Sequence, residues 1–149
     1  MGQDEAGIDL ETSLGYLLKQ ASSVLRSSME EVLKPLGMTV THYSCLELLA
    51  QRPGLSNSEL ARGTFVTRQS MNVLLQSLER DGDVIRATDA AVGKAIPTRL
   101  TPRGRRSLEK ASAAVRSVEL KMLSGMTGSE QAAAFEALQS MVRSLRGEG

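Results

Sequence analysis

Only 3% of the 149 residues are aromatic, tryptophan is absent, and there are just four prolines. Such a composition argues against a β-sandwich, whereas plentiful Ala, Leu, Ser, Arg and Met points to packed helices. The single cysteine, Cys45, excludes an internal disulfide framework and any Cys-cluster zinc site. The single histidine, His42, excludes the common two-His metal motifs and leaves little material for acid/base catalysis. A phosphate-binding Gly-x4-Gly-Lys-Ser/Thr loop is also missing, because Thr88 stands where Gly93-Lys94 would need its first glycine. Neither an enzyme nor a bound cofactor or metal is expected. No run reaches the ~18 apolar residues of a membrane span. Met1 to Asp9 has neither the basic nor the apolar region of a secretion signal, so a cytoplasmic address is expected. What is present, 41% hydrophobic and 23% charged residues with 18 Lys+Arg against 17 Asp+Glu, describes one globular domain able to bury a core.

Apolar and small residues from Leu14 to Val32 recur at spacings of three and four, which predicts a long amphipathic helix stopped by Pro35 and Gly37. A second helix is expected over Thr39 to Ala50, ended by Arg52-Pro53-Gly54. Ser56 followed three residues later by Glu59 is a capping box, opening a short helix that Gly63 is expected to break near Arg62. After the turn Gly63-Thr64-Phe65-Val66, Thr67 can cap a further helix with Met71, Leu74, Leu75 and Leu78 inward and Asp81-Gly82 as its stop. Two short helices joined in this way read as helix-turn-helix. Val84-Ile85-Arg86 and Ile96 to Leu100 then form a two-stranded wing, with Pro97 at a non-bonding position. Thr101-Pro102 opens a long helix to about Leu123, and Ser129 to Arg146 forms the last one.

The expected architecture is therefore mainly α: a winged helix-turn-helix, residues 37–101, between long end helices, residues 1–36 and 102–149. Those end helices carry apolar stripes without an obvious partner in so small a module, and a second copy related by a two-fold axis would cover them. A net charge of +1 gives no global sign of nucleic-acid binding, but its distribution does. Between Arg86 and Arg106 stand six bases, Arg86, Lys94, Arg99, Arg103, Arg105 and Arg106, against one acid, Asp89. Such a local field suits phosphates. Thr67, Arg68, Gln69, Ser70 and Asn72 at the start of the second helix of the motif are of the types that read base edges: Arg bonds guanine twice, Gln or Asn adenine. Double-stranded DNA is the expected partner, with Arg86 and Lys94 of the wing assisting.

The run with Leu60-Ala61, Thr67-Arg68-Gln69-Ser70, Leu78-Glu79-Arg80-Asp81-Gly82 and Leu100-Thr101-Pro102-Arg103-Gly104 resembles the MarR family of bacterial winged-helix regulators, and the flanking helices extend the resemblance over nearly the whole chain. The resemblance implies a homodimeric repressor, less often an activator, on a pseudo-palindromic operator, with recognition helices in major grooves and wings in minor grooves. It also implies release by small phenolic or aromatic-acid ligands bound between the dimerisation helices and the DNA-binding module. One departure is visible: the family's Asp-x-Arg wing element is Val92-Gly93-Lys94 here, which keeps a charge but loses the guanidinium fork and the aspartate.

Tyr16, His42 and Tyr43 lie where the resemblance puts a ligand pocket, and Arg26 is a candidate partner for a ligand carboxylate. Cys45 opens a second possibility, an oxidant-sensing regulator. It requires an exposed thiol of lowered pKa, against the alternative of a small buried hydrophobe. A third possibility is a winged helix that contacts proteins only, which sequence preference on DNA would separate from a repressor.

Overall fold

The computed structural model describes residues 7–86 and 98–148. Its elements are α1 (Leu14–Leu33), α2 (Val40–Gln51), α3 (Asn57–Thr64), α4 (Arg68–Arg80), β1 (Val84–Arg86), β2 (Thr98–Leu100), α5 (Pro102–Leu123) and α6 (Gly128–Arg146). A short 3-10 turn, Lys34–Leu36, joins α1 to the left-handed Gly37. The six helices each begin at a Ser or Thr whose side chain accepts a hydrogen bond from the backbone three residues on: Ser13, Thr39, Ser56, Thr67, Thr101 and Thr127. Each such cap contributes about 1 kcal/mol, so the helix starts are specified locally.

The core unites the ends of the long helices with the middle of the chain. Leu33 of α1, Cys45, Leu46 and Leu49 of α2, Leu60 and Ala61 of α3, Met71, Leu75 and Leu78 of α4, Val84 of β1, and Leu108 and Ala111 of α5 are all buried. Truncating one of the fully buried leucines to alanine should cost about 2–5 kcal/mol. Beyond this core the long helices run out uncovered. Among the described residues α6 buries nothing, and its Phe135, Leu138, Val142 and Leu145 are exposed, as are Leu14, Leu17, Leu18 and Val24 of α1.

The wing base is an antiparallel pair in which Val84 faces Leu100, Ile85 faces Arg99 and Arg86 faces Thr98. Ile96, Pro97, Asp89 and the Val92-Gly93-Lys94 element lie outside the described residues. A backbone clasp closes this base. Just past the end of α4 the chain turns at Gly82 (φ +81°), the Asp83 N–H returns to the Leu78 carbonyl at 2.9 Å, and the Thr101 N–H donates to the Asp83 carbonyl at 3.0 Å. Thr101 Oγ1 donates to the Gly82 carbonyl, and a Cβ on Gly104 would overlap the Asp83 carbonyl oxygen. The Leu-Glu-x-x-Gly and Leu-Thr-x-x-Gly motifs are thus the two halves of one joint.

Two helix boundaries differ from the sequence reading. Helix α3 does not break at Gly63; it runs on to Thr64, and Gly63 lies against Leu48 Cδ1, where a Cβ would come within 2.7 Å. Its terminator is Phe65, a bulky residue in the left-handed region (φ 62°), with the Val66 N–H returning to the Ala61 carbonyl at 3.0 Å. That conformation costs a non-glycine residue on the order of 1 kcal/mol. Helix α6 starts one residue earlier than expected, at Gly128, because Thr127 and Glu130 form a capping box.

Candidate nucleic-acid interface

Helix α4 packs inward through Met71, Leu75 and Leu78, which fixes the opposite face as the exposed one. Thr67 Oγ1 accepts from the Ser70 N–H and donates to the Ser70 hydroxyl, both at 3.0 Å, so this pair is committed to holding the helix start. Arg68 and Gln69 are exposed and make no side-chain hydrogen bond among the described residues. With backbone N–H groups of the first turn beside them, they present a donor-rich tip of the kind that enters a major groove. The face continues through Val73, 60% exposed, and Gln76, two residues the sequence reading passed over. Four-residue spacing from Gln69 would have revealed Val73.

Arg86 is not free. From β1 its Nη1 and Nη2 donate to Asn72 Oδ1 at 3.5 and 3.4 Å, while its Nε is buried without a partner. Asn72 therefore offers the outside only its NH2 group. Farther along, Arg99, Arg105 and Arg106 are exposed, whereas Arg103 Nε sits 3.7 Å from Asp83 Oδ1. Lys94, the remaining wing candidate, lies outside the described residues.

The four candidate ligand residues do not converge. Tyr16 stands half-exposed near the start of α1. Arg26 is paired with Glu30 on its own helix at 3.2 Å. His42 turns toward the end of α4: burial lowers its pKa against the pull of Asp83 and Asp81, and its Nε2 is buried without a partner. The Tyr43 hydroxyl donates to Glu47 Oε2 at 2.9 Å, and burial together with that bond pushes its pKa up to about 12. Glu47 also accepts from Ser112 Oγ of α5 at 2.9 Å and from Gln51 Nε2 at 2.6 Å. Burial alone would raise the Glu47 carboxyl, but these hydrogen bonds outweigh it and hold the group below its usual range. The network ties α2 to α5.

A cavity of about 580 Å³ lies elsewhere, between α1 and α5, walled by Val24, Leu25, Val32, Val118 and Met122, with Ser28, Glu31, Ser117 and Lys121 at its polar edges. Aliphatic walls and a single lysine would suit a flat apolar acid. Cys45 is fully buried, 3.8 Å from Met71 Sδ, and burial pushes its thiol up to about 12. It lacks the access and the low pKa that oxidant sensing requires. No group of three or more potential metal ligands occurs among the described residues, and no described helix is long and apolar enough to cross a membrane.

Residues 36–95 match the pattern of the MarR family. The chain is similar to the HTH-type transcriptional repressor Rv2887 of Mycobacterium tuberculosis, at 41% identity over 125 residues, 84% of this chain and 90% of that protein. The crystal structure of the Mycobacterium tuberculosis MarR family protein Rv2887 in complex with salicylic acid superimposes with a TM-score of 0.73, at 39% identity, over 87% of this chain and 96% of that one. Its complex with DNA gives a TM-score of 0.71 at 37% identity, over 87% and 98% of the two chains.

Proposed function

The chain belongs to the MarR family, and from that membership we propose that it is a transcriptional repressor that binds a pseudo-palindromic DNA operator as a homodimer and is released by a small aromatic acid or phenol. The single observation that carries the DNA half of this reading is the tip of α4: Arg68 and Gln69 exposed and unengaged among the described residues, on a helix capped by Thr67 and anchored by Met71, Leu75 and Leu78. In each half-site the tip of α4 enters the major groove. Arg68, Gln69 and the Asn72 amide read base edges, the N–H groups of the first turn meet phosphate, and Thr67 and Ser70 hold that turn in place. Arg99, Arg105, Arg106 and Lys94 add the salt-dependent phosphate term. The homodimer forms through residues 1–36 and 102–149, where Leu14, Leu17 and Leu18 of one copy and Phe135, Leu138 and Val142 leave an apolar surface uncovered. Residues 37–101 form the DNA-binding region, in the cytoplasm where the operator is.

The ligand half rests on the cavity between α1 and α5, with Lys121 facing a carboxylate and the aliphatic walls its ring. Support comes from the relative whose structures contain DNA and salicylic acid. The test is binding to duplex from upstream of the coding region against random duplex, across salt and with salicylate added. Arg68→Ala and Gln69→Ala should each weaken operator binding by roughly 1–3 kcal/mol and relax its specificity. Equal binding to operator and random duplex at every salt concentration, in duplexes enriched from a randomised pool as well, would overturn the reading.

A further inference from the structure

The sharpest anomaly in the chain is Phe65. It joins α3 to α4 with a left-handed backbone (φ 62°) that glycine would adopt without strain, yet the residue is 89% exposed and does not pack on the core. Neither packing nor backbone preference accounts for a phenyl group here, and a strained residue holding an unsupported apolar ring points to a contact made with something else. The setting identifies the class of partner. Between Glu59 and Glu79 there is no acidic residue, while Arg62 and Arg68 stand three residues before and after Phe65 in the chain and both are exposed. The ring stands three residues before the first residue of α4 and belongs to neither of the helices, α1 and α6, that carry the uncovered apolar faces. An apolar group set among cations suits a polyanion with apolar facets, which is DNA: the thymine methyl lines the major groove and the deoxyribose lines its edge.

We propose that Phe65 is a DNA-contacting residue whose ring lies against the apolar surface of a nucleotide at the border of the groove that α4 enters; this rests on the operator-binding reading above. The strained turn is what aims the ring outward.

The experiment uses the full chain and a duplex enriched by the wild type from a randomised pool. Phe65→Gly removes the ring and relieves the backbone, so its thermal midpoint should stay level or rise while its affinity falls roughly tenfold. Phe65→Tyr, which keeps the ring, should bind like the wild type. The same duplex with deoxyuridine for thymidine separates the two facets: loss of affinity in the wild type but not in Phe65→Gly assigns the methyl, and an unchanged wild type with Phe65→Gly weak on both duplexes assigns the sugar. Phe65→Gly binding as tightly as the wild type, or losing stability along with affinity, overturns the proposal alone. A wild type that enriches no sequence overturns the operator-binding reading and this proposal with it.

Discussion

Arg86 and Asn72 are locked together across the joint between wing and recognition helix: both terminal nitrogens of the guanidinium, at 3.5 and 3.4 Å, converge on one oxygen, Asn72 Oδ1. Because arginine only donates, the amide orientation is settled and the Asn72 NH2 is the group left over. An asparagine with both edges free pairs with adenine; one with only its NH2 free seeks an acceptor, such as guanine O6 or N7 or thymine O4.

Arg86→Leu should therefore change preference as well as strength. With Oδ1 released, adenine at the base pair assigned to Asn72 gains a second hydrogen bond, its N6–H donating to Oδ1 while its N7 accepts from the NH2, and other positions keep their ranking. Binding to a set of duplexes carrying each base at each half-site position reads this out. A uniform loss at every position, with a shallower salt slope, would instead mark Arg86 as a phosphate contact.

His42 predicts a pH dependence. Burial lowers its folded-state pKa below the unfolded value of 6.5, so unfolding takes up a proton in acid. Its contribution to stability is complete above about pH 6.5 and is lost progressively as the pH falls from there through the depressed folded value. Thermal midpoints between pH 8 and 5 should decline for the wild type and decline less for His42→Leu, which has nothing to protonate. Parallel curves would refute a lowered His42 pKa in the folded protein.

Gly104 admits no side chain. Since a Cβ there would overlap the Asp83 carbonyl oxygen, which also accepts from the Thr101 N–H, Gly104→Ala should cost about 1–3 kcal/mol through strain. Gly125→Ala, where nothing lies within 4 Å, is the control and should be neutral or slightly stabilising. Denaturant midpoints of the two variants decide the matter.

The apolar face of α6 predicts association. Leu138→Glu with Val142→Glu should shift the protein from dimer to monomer in sedimentation at micromolar concentration and weaken operator binding by at least tenfold, since one half-site alone gives little affinity. An unchanged dimer would place the contact elsewhere.

Most of the fold is legible in the residues because its boundaries are written locally. Thr39, Ser56, Thr67 and Thr101 announce four helix starts, and Asp81-Gly82 announces the end of α4. Where the sequence misleads, tertiary contact has overruled local preference. Gly63 reads as a breaker, but its missing side chain serves the approach of Leu48, and the left-handed turn falls to Phe65 against its own preference. Gly128 likewise lies just ahead of the start expected at Ser129 and is the first residue of α6, because the Thr127–Glu130 box captures it.

The candidate site divides in the same way. Arg68 and Gln69 were readable from position on a capped helix, whereas the facing of Tyr16, His42 and Tyr43 depends on which neighbours occupy the space around them. The walls of the α1–α5 cavity are ordinary Val, Leu, Ser and Met, which carry no chemical signal until the helices are placed. Glu47, which gathers Tyr43, Gln51 and Ser112, escaped notice for want of any pattern linking residues on α2 and α5.

The clasp between Gly82, Asp83, Thr101 and Gly104 makes α5 a lever. Its near end is fixed to the end of α4 through backbone atoms and a position with no room to slip, while Val118, roughly 21 Å along the axis from Gly104, and Lys121 beyond it border the cavity. Over that arm a rotation of about 10° corresponds to a displacement of roughly 4 Å at the far end. Prising α5 away from α1 by about the thickness of an aromatic ring would turn the clasp, and with it the end of α4, through about that angle.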